Sequence, residues 1–120
     1  MINPDNGYSN CVLCTLAGDD LIAGRPVKPA PGGVGPYDRD YLEAATGRTF
    51  VKEAGRLSQV VKDVLGWGSG GRGFIAVWPQ DGVGHVFNVV NVDGSVVFLD
   101  YQLGKAKPTG WARYEIMRTD

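Results

Sequence analysis

Two runs of β-branched and aromatic residues, HVFNVVNV (85–92) and SVVFLDYQ (95–102), are separated only by Asp93-Gly94. A two-residue hairpin turn of type I′ needs positive φ at both central positions, and Asp-Gly is among the few pairs that tolerate this. The stretch is therefore expected to be a tight antiparallel hairpin, and such a turn sets register and faces together. Val92 then faces Ser95, Asn91 faces Val96, Phe87 faces Asp100 and His85 faces Gln102. Alternation gathers His85, Phe87, Val89, Asn91, Val96, Phe98, Asp100 and Gln102 on one face. His85, the single histidine of the chain, becomes a diagonal neighbour of Asp100, with Cα atoms roughly 7–8 Å apart. A bulged turn would instead shift the register by one and send Asp100 to the other face.

The rest of the chain divides at the glycine run GWGSGGRG (66–73). Before it lie three segments of helical character. SNCVLCTLAGDDLIAGRP has an apolar stripe, a polar cap at Ser9 or Asn10 and a stop at Gly24 and Pro26. Gly18 weakens that helix slightly. A short helix is expected from about Asp38 to Gly47, after a Pro/Gly loop at 27–36. RLSQVVKDVLG (56–66) spaces Leu57, Val60, Val61, Val64 and Leu65 as one buried helical face. After the glycine run, FIAVW (74–78) reads as a buried strand and WARYEIMRT (111–119) as a last strand. Helices first and strands last imply an α+β fold, with N-terminal helices packed on a C-terminal antiparallel sheet. At 120 residues the chain is expected to be one domain, 1–120.

Charge narrows the function classes. Twelve basic and thirteen acidic residues are interspersed, for a formal net charge of −1. No basic run offers a nucleic-acid track and no apolar run reaches membrane-spanning length, so neither partner is expected. The first ten residues lack the charged and apolar regions of a signal peptide.

Two cysteines three residues apart are too few for a disulfide scaffold. Cys11 directly follows a plausible cap, so it belongs to the first helical turn, where the macrodipole favours a thiolate. Cys14 is one turn further on and is expected to face the core. Cys11 is therefore the leading nucleophile and Cys14 the alternative. A thioredoxin-like pair should follow a strand, and none precedes it here. Zinc held by Cys11, Cys14, His85 and Asp100 would be an unusual ligand set for a structural site, and no metal or other cofactor is expected. A Cys–His–Asp triad requires only that the groups meet in space. The Cys11 N–H and an amide from Asn10 or Asn6 are candidate oxyanion donors, although Asn10 serves equally well as a cap. Polar residues interrupting an apolar face suit a site built on a rigid scaffold.

Taken together, NCVLC opening a helix, AGRP ending it, GSGGRGFIAV and GHVFNVVNVDGSVVFLDYQ resemble the papain-fold toxin domains at the C-termini of bacterial polymorphic toxins, which are similar to effector glutamine deamidases. The resemblance runs from Asn10 to about Asp120. It implies Cys11 as nucleophile, His85 as base and Asp100 as acid, with Gln102 matching a glutamine often seen beside the acid. In papain proteases the second cysteine of C-x-x-C-W is the nucleophile, whereas Thr15 follows Cys14 here. The implied chemistry is deamidation of a glutamine side chain on a target protein, with proteolysis on the same fold, or an inactive papain-like binding module, as alternatives. A domain delivered from a larger bacterial toxin would also imply a cognate immunity protein. The loops at 29–37 and 66–73 are candidate walls of the site, although 29–37 reads better as a plain connection. Trp67 and Trp78 could line a groove, but aromatic residues beside glycines more often belong to the core.

Overall fold

A computed structural model of the chain describes residues 11–27, 39–52 and 56–120. Among these residues three helices and five strands follow in order: α1 (Cys11–Ala23), α2 (Arg39–Thr46), β1 (Val51–Lys52), α3 (Leu57–Gly66), β2 (Arg72–Trp78), β3 (His85–Val92), β4 (Ser95–Leu99) and β5 (Arg113–Arg118). The strands form one antiparallel sheet in the order β1-β5-β2-β3-β4. The fold is α+β, as the order of patterns implies. The two-residue β1 had no period to reveal it.

Helices cover both faces of the sheet. On one face Val60 and Val64 of α3 pack on Ile75, Val77, Phe87, Val89, Tyr114 and Ile116. On the other, Val12 of α1 and Leu42 of α2 pack with Phe50 on Phe74, Ala76, Val86 and Met117. The central strand β2 is therefore buried on both sides over its five middle residues, which explains its unbroken apolar run. Burial of each such side chain contributes on the order of 1.5–3 kcal/mol.

The hairpin forms in the expected register, with Val92↔Ser95, Asn91↔Val96 and Val89↔Phe98 paired. Asp93 and Gly94 have φ of 51° and 88°, the two positive values that a type I′ turn demands. Asn91 braces this turn. Its Oδ1 accepts the Gly94 N–H at 2.8 Å and its Nδ2 donates to the Val64 carbonyl at 3.3 Å. Asn91 thus belongs to the hairpin end and has no place near His85.

Two expectations need correction. The β3–β4 ladder ends at Asn88↔Leu99, so Gln102 does not face His85 across paired strands. After Leu99 the chain turns, because the Asp100 carbonyl and carboxylate collect N–H groups from the next residues. The glycine loop also lies away from His85. Gly70 donates to the Asn91 carbonyl and Asn91 donates to that of Gly71, both at 2.8 Å, which fixes this loop at the hairpin end of β3. Trp67 is held there too, packed on the α3-face core and under Arg118. Residues 28–38, which include the candidate loop wall at 29–37, lie outside the described residues.

Candidate active site

His85 opens β3 at the end of the sheet remote from the Asp93-Gly94 turn. Its Nε2 lies 2.5 Å from Oδ2 of Asp100. The carboxylate is itself held in place. Its Oδ1 accepts the backbone N–H groups of Gln102 and Leu103, each at 3.0 Å, and the Asp100 carbonyl accepts the Gly104 N–H at 2.8 Å. The Asp100 side chain is almost fully buried and that of His85 only slightly exposed. A buried carboxylate with three N–H partners is well satisfied and cannot swing freely. Gln102 thus contributes a backbone N–H to this arrangement.

Cys11 is the first residue of α1 and is part-buried. Its side chain lies near enough to the His85 imidazole to raise that ring's pKa. With Nε2 committed to Asp100, Nδ1 is the ring nitrogen left for the thiol. Burial alone would lower the His85 pKa, but the hydrogen bonds to Asp100 and Cys11 outweigh it and raise the value to about 9. At neutral pH the ring is therefore held as an imidazolium.

Cys14 sits one turn on and is buried, packed with Ala17, Leu13, Val27 and Tyr101. Burial first, then the charges of Cys11 and Asp100, push its thiol up to about 11. Such a thiol stays protonated and inert. Asn6 and Asn10 lie outside the described residues. No group of three or more His, Cys, Asp or Glu that could hold a metal ion occurs among the described residues, and none of their helices is long and apolar enough to cross a membrane.

Trp78, the last residue of β2, does come near the site. A Cβ on Gly84 would meet the Trp78 indole Nε1 at 2.5 Å and the Val77 carbonyl at 2.9 Å, so the indole lies against the residue preceding His85. Only a glycine admits that approach. Arg113 stacks on the same ring at 4.0 Å and donates two hydrogen bonds to the buried Glu115 carboxylate. The chain pattern carried no signal for Arg113 or Glu115, because β5 brings them beside Trp78 only through the sheet.

Sequence reasoning also passed over two polar residues that join α1 to β3. Thr15 Oγ1 lies 2.7 Å from the Cys11 carbonyl and 3.2 Å from that of Val86. Asn88 Nδ2 donates to the Thr15 carbonyl at 3.0 Å. The available signal was Gly18. A Cβ there would lie 2.4 Å from the Tyr101 ring and 2.5 Å from Asn88 Oδ1, so a glycine within the helix marks a close approach.

The α+β architecture, with α1 packed on an antiparallel sheet that carries the His85–Asp100 pair, is consistent with a papain-like fold. Residues 9–105 match the family model described as papain fold toxin 1, glutamine deamidase, and the chain belongs to that family. The match ends within the loop after β4, so β5 lies beyond it although β5 pairs with both β1 and β2. No curated protein and no solved structure gives a significant match.

Proposed function

We propose that the chain is a cysteine-dependent amide hydrolase that deamidates glutamine side chains of a target protein, with Cys11, His85 and Asp100 as its triad. The observation that supports this reading is the His85–Asp100 contact at 2.5 Å, with the Cys11 side chain near enough to raise the His85 pKa. Membership of a glutamine deamidase family favours deamidation over proteolysis.

The reaction then runs in two halves. The imidazolium stabilises the Cys11 thiolate, which attacks the side-chain carboxamide carbon. The oxyanion that forms is held by the Cys11 backbone N–H at the start of α1. The tetrahedral species collapses as the His85 proton passes to the departing nitrogen, and ammonia leaves a thioester behind. Neutral His85 then takes a proton from water, and the hydroxide attacks the thioester carbonyl. Collapse releases glutamate and restores the thiolate–imidazolium pair. Asp100 keeps the ring oriented throughout and stabilises its cation. Deep burial and a protonated thiol disfavour Cys14 as nucleophile.

As a toxin domain, residues 1–120 would form the C-terminal part of a larger bacterial polymorphic toxin, an effector delivered into a target cell. A cognate immunity protein would cover the Cys11–His85 surface in the producer.

The test is intact-mass analysis of candidate target proteins incubated with wild type or with Cys11→Ala. Deamidation adds about one dalton per glutamine and is absent with Cys11→Ala. Fragments in place of that gain would make the protein a protease. Unchanged activity in Cys11→Ala would end the thiolate mechanism.

A further inference from the structure

Two of the elements that carry the proposed triad, α1 and β3, meet through a buried polar seam set back from the reacting atoms. Thr15 is at its centre and is almost fully buried. One hydroxyl faces two carbonyl oxygens. One belongs to Cys11 at 2.7 Å, the other to Val86, the residue after His85, at 3.2 Å. The carbonyl of Thr15 itself accepts the Asn88 amide at 3.0 Å. Val86 contributes its backbone carbonyl and Asn88, two residues on in β3, its side-chain amide. They grip a single helical residue from both sides. Cys11 is four residues before Thr15, on the same side of α1.

This grip sets two degrees of freedom. Rotation of α1 about its axis would swing Cys11 away from His85, and sliding along β3 would change their separation. Both motions break the Thr15–Val86 and Asn88–Thr15 contacts. The seam also has a cost. Asn88 is fully buried, and its Oδ1 has no hydrogen-bond partner. An orphaned buried carbonyl is unfavourable, so stability alone does not account for an asparagine here.

We infer that Thr15, supported by Asn88, is a positioning residue that sets the Cys11–His85 geometry by tying the first turn of α1 to the start of β3. The inference rests on the proposed triad and extends it to residues that touch no substrate. Misplacement by about 1 Å costs on the order of 100-fold in a reaction that depends on orientation, so a loosened seam is visible kinetically.

The probe is iodoacetamide, with the Cys11 alkylation rate followed from pH 5 to 10. Thr15→Val keeps the shape and removes the donor. It is expected to slow alkylation near pH 6.5 about tenfold and to move the profile toward that of a free thiol. Thr15→Ser restores the hydroxyl and is expected to recover most of the wild-type profile. Thr46→Val is the matched control. Thr46 makes the same bond to a carbonyl four residues back, at 2.7 Å to Leu42 on α2, and its loss should leave the profile unchanged. Should Thr15→Val not fold, Asn88→Leu tests the other half of the seam. It removes one hydrogen bond together with the orphaned carbonyl oxygen, so a near-unchanged melting temperature with slowed alkylation is expected. A wild-type profile in Thr15→Val or Asn88→Leu, or an equal loss in Thr46→Val, would overturn the positioning role. A wild-type Cys11 no more reactive than a peptide thiol would instead remove the triad reading beneath it.

Discussion

The two faces of the sheet are held by different physics. Against α3 the contact is mainly apolar: Val60 and Val64 meet Ile75, Val77, Phe87 and Val89, with the buried Asn91 amide bonding α3 at its C-terminal end. Against α1 it is mixed. Thr15, Asp19 and Asn88 are buried there, and Gly18 admits a ring and an amide at close range. Asp19 accepts from Arg72 at 3.1 Å and from Thr119 at 2.6 Å, and pairs with Arg25 at 2.9 Å. Apolar burial is non-directional and tolerates small shifts, whereas hydrogen bonds specify distance and angle. Both faces bury apolar side chains, and the α1 face adds the directional contacts that fix position.

The sharpest way to break this division is a cavity on the α3 face. Ile75 is fully buried on the central strand, and Ile75→Ala should cost about 2–5 kcal/mol. A urea midpoint measures the loss. The Cys11 alkylation rate of the remaining folded protein should match wild type. A site that loses reactivity in proportion to stability would show that the two faces do not act separately.

A smaller effect is expected at Gly18. Replacing a mid-helix glycine by alanine ordinarily gains about 1 kcal/mol. Here the new methyl would overlap the Tyr101 ring and Asn88 Oδ1, so Gly18→Ala should lose about 1–3 kcal/mol net through overpacking. Tyr101 directly follows Asp100, so the displacement also reaches the carboxylate that orients His85. Cys11 alkylation should therefore slow in this variant but not in Ile75→Ala. Net stabilisation by Gly18→Ala would show that α1 has slack, contrary to a position-fixing face.

The same division explains what could be read from the chain alone. The hairpin was legible because its turn chemistry is local, and Asp93-Gly94 sets every pairing back to Asn88↔Leu99. The His85–Asp100 approach followed from that register, and Cys11 at the head of α1 from the cap pattern. Gln102 was misplaced because alternation does not reveal that the Asp100 carboxylate would gather the following N–H groups and end the strand. The glycine loop was assigned to the wrong end of the sheet because composition marks a loop without saying which site it borders. Thr15 and Asn88 looked ordinary. Their role exists only once α1 lies across β3, and no periodicity in either segment reports that crossing. Gly18 did report it, but read by propensity alone it counted only as a weakness of the helix.

A further expected effect centres on the site itself, a dependence of stability on pH. The His85 value of about 9 in the folded protein lies above the ordinary 6.5 that applies once the chain unfolds, because the hydrogen bonds to Asp100 and Cys11 overcome the opposing effect of burial. Below pH 6.5 both states hold the proton and the stabilisation is fully present. Between 6.5 and 9 only the folded state keeps it, so stability falls as pH rises, and the contribution is gone above about 9. One proton limits the slope to about 1.4 kcal/mol per pH unit. Cys14 acts with the same sign in a higher window, from the ordinary 9.0 to about 11, because burial holds its thiol protonated while the unfolded chain ionises. Urea midpoints between pH 6 and 11 should thus fall in two stages. His85→Ala should abolish the first stage and keep the second. Ile75→Ala should lower the whole curve without changing its shape, since it removes packing and no titrating group. A first stage that survives in His85→Ala would assign the titration elsewhere and remove the imidazolium from the resting site.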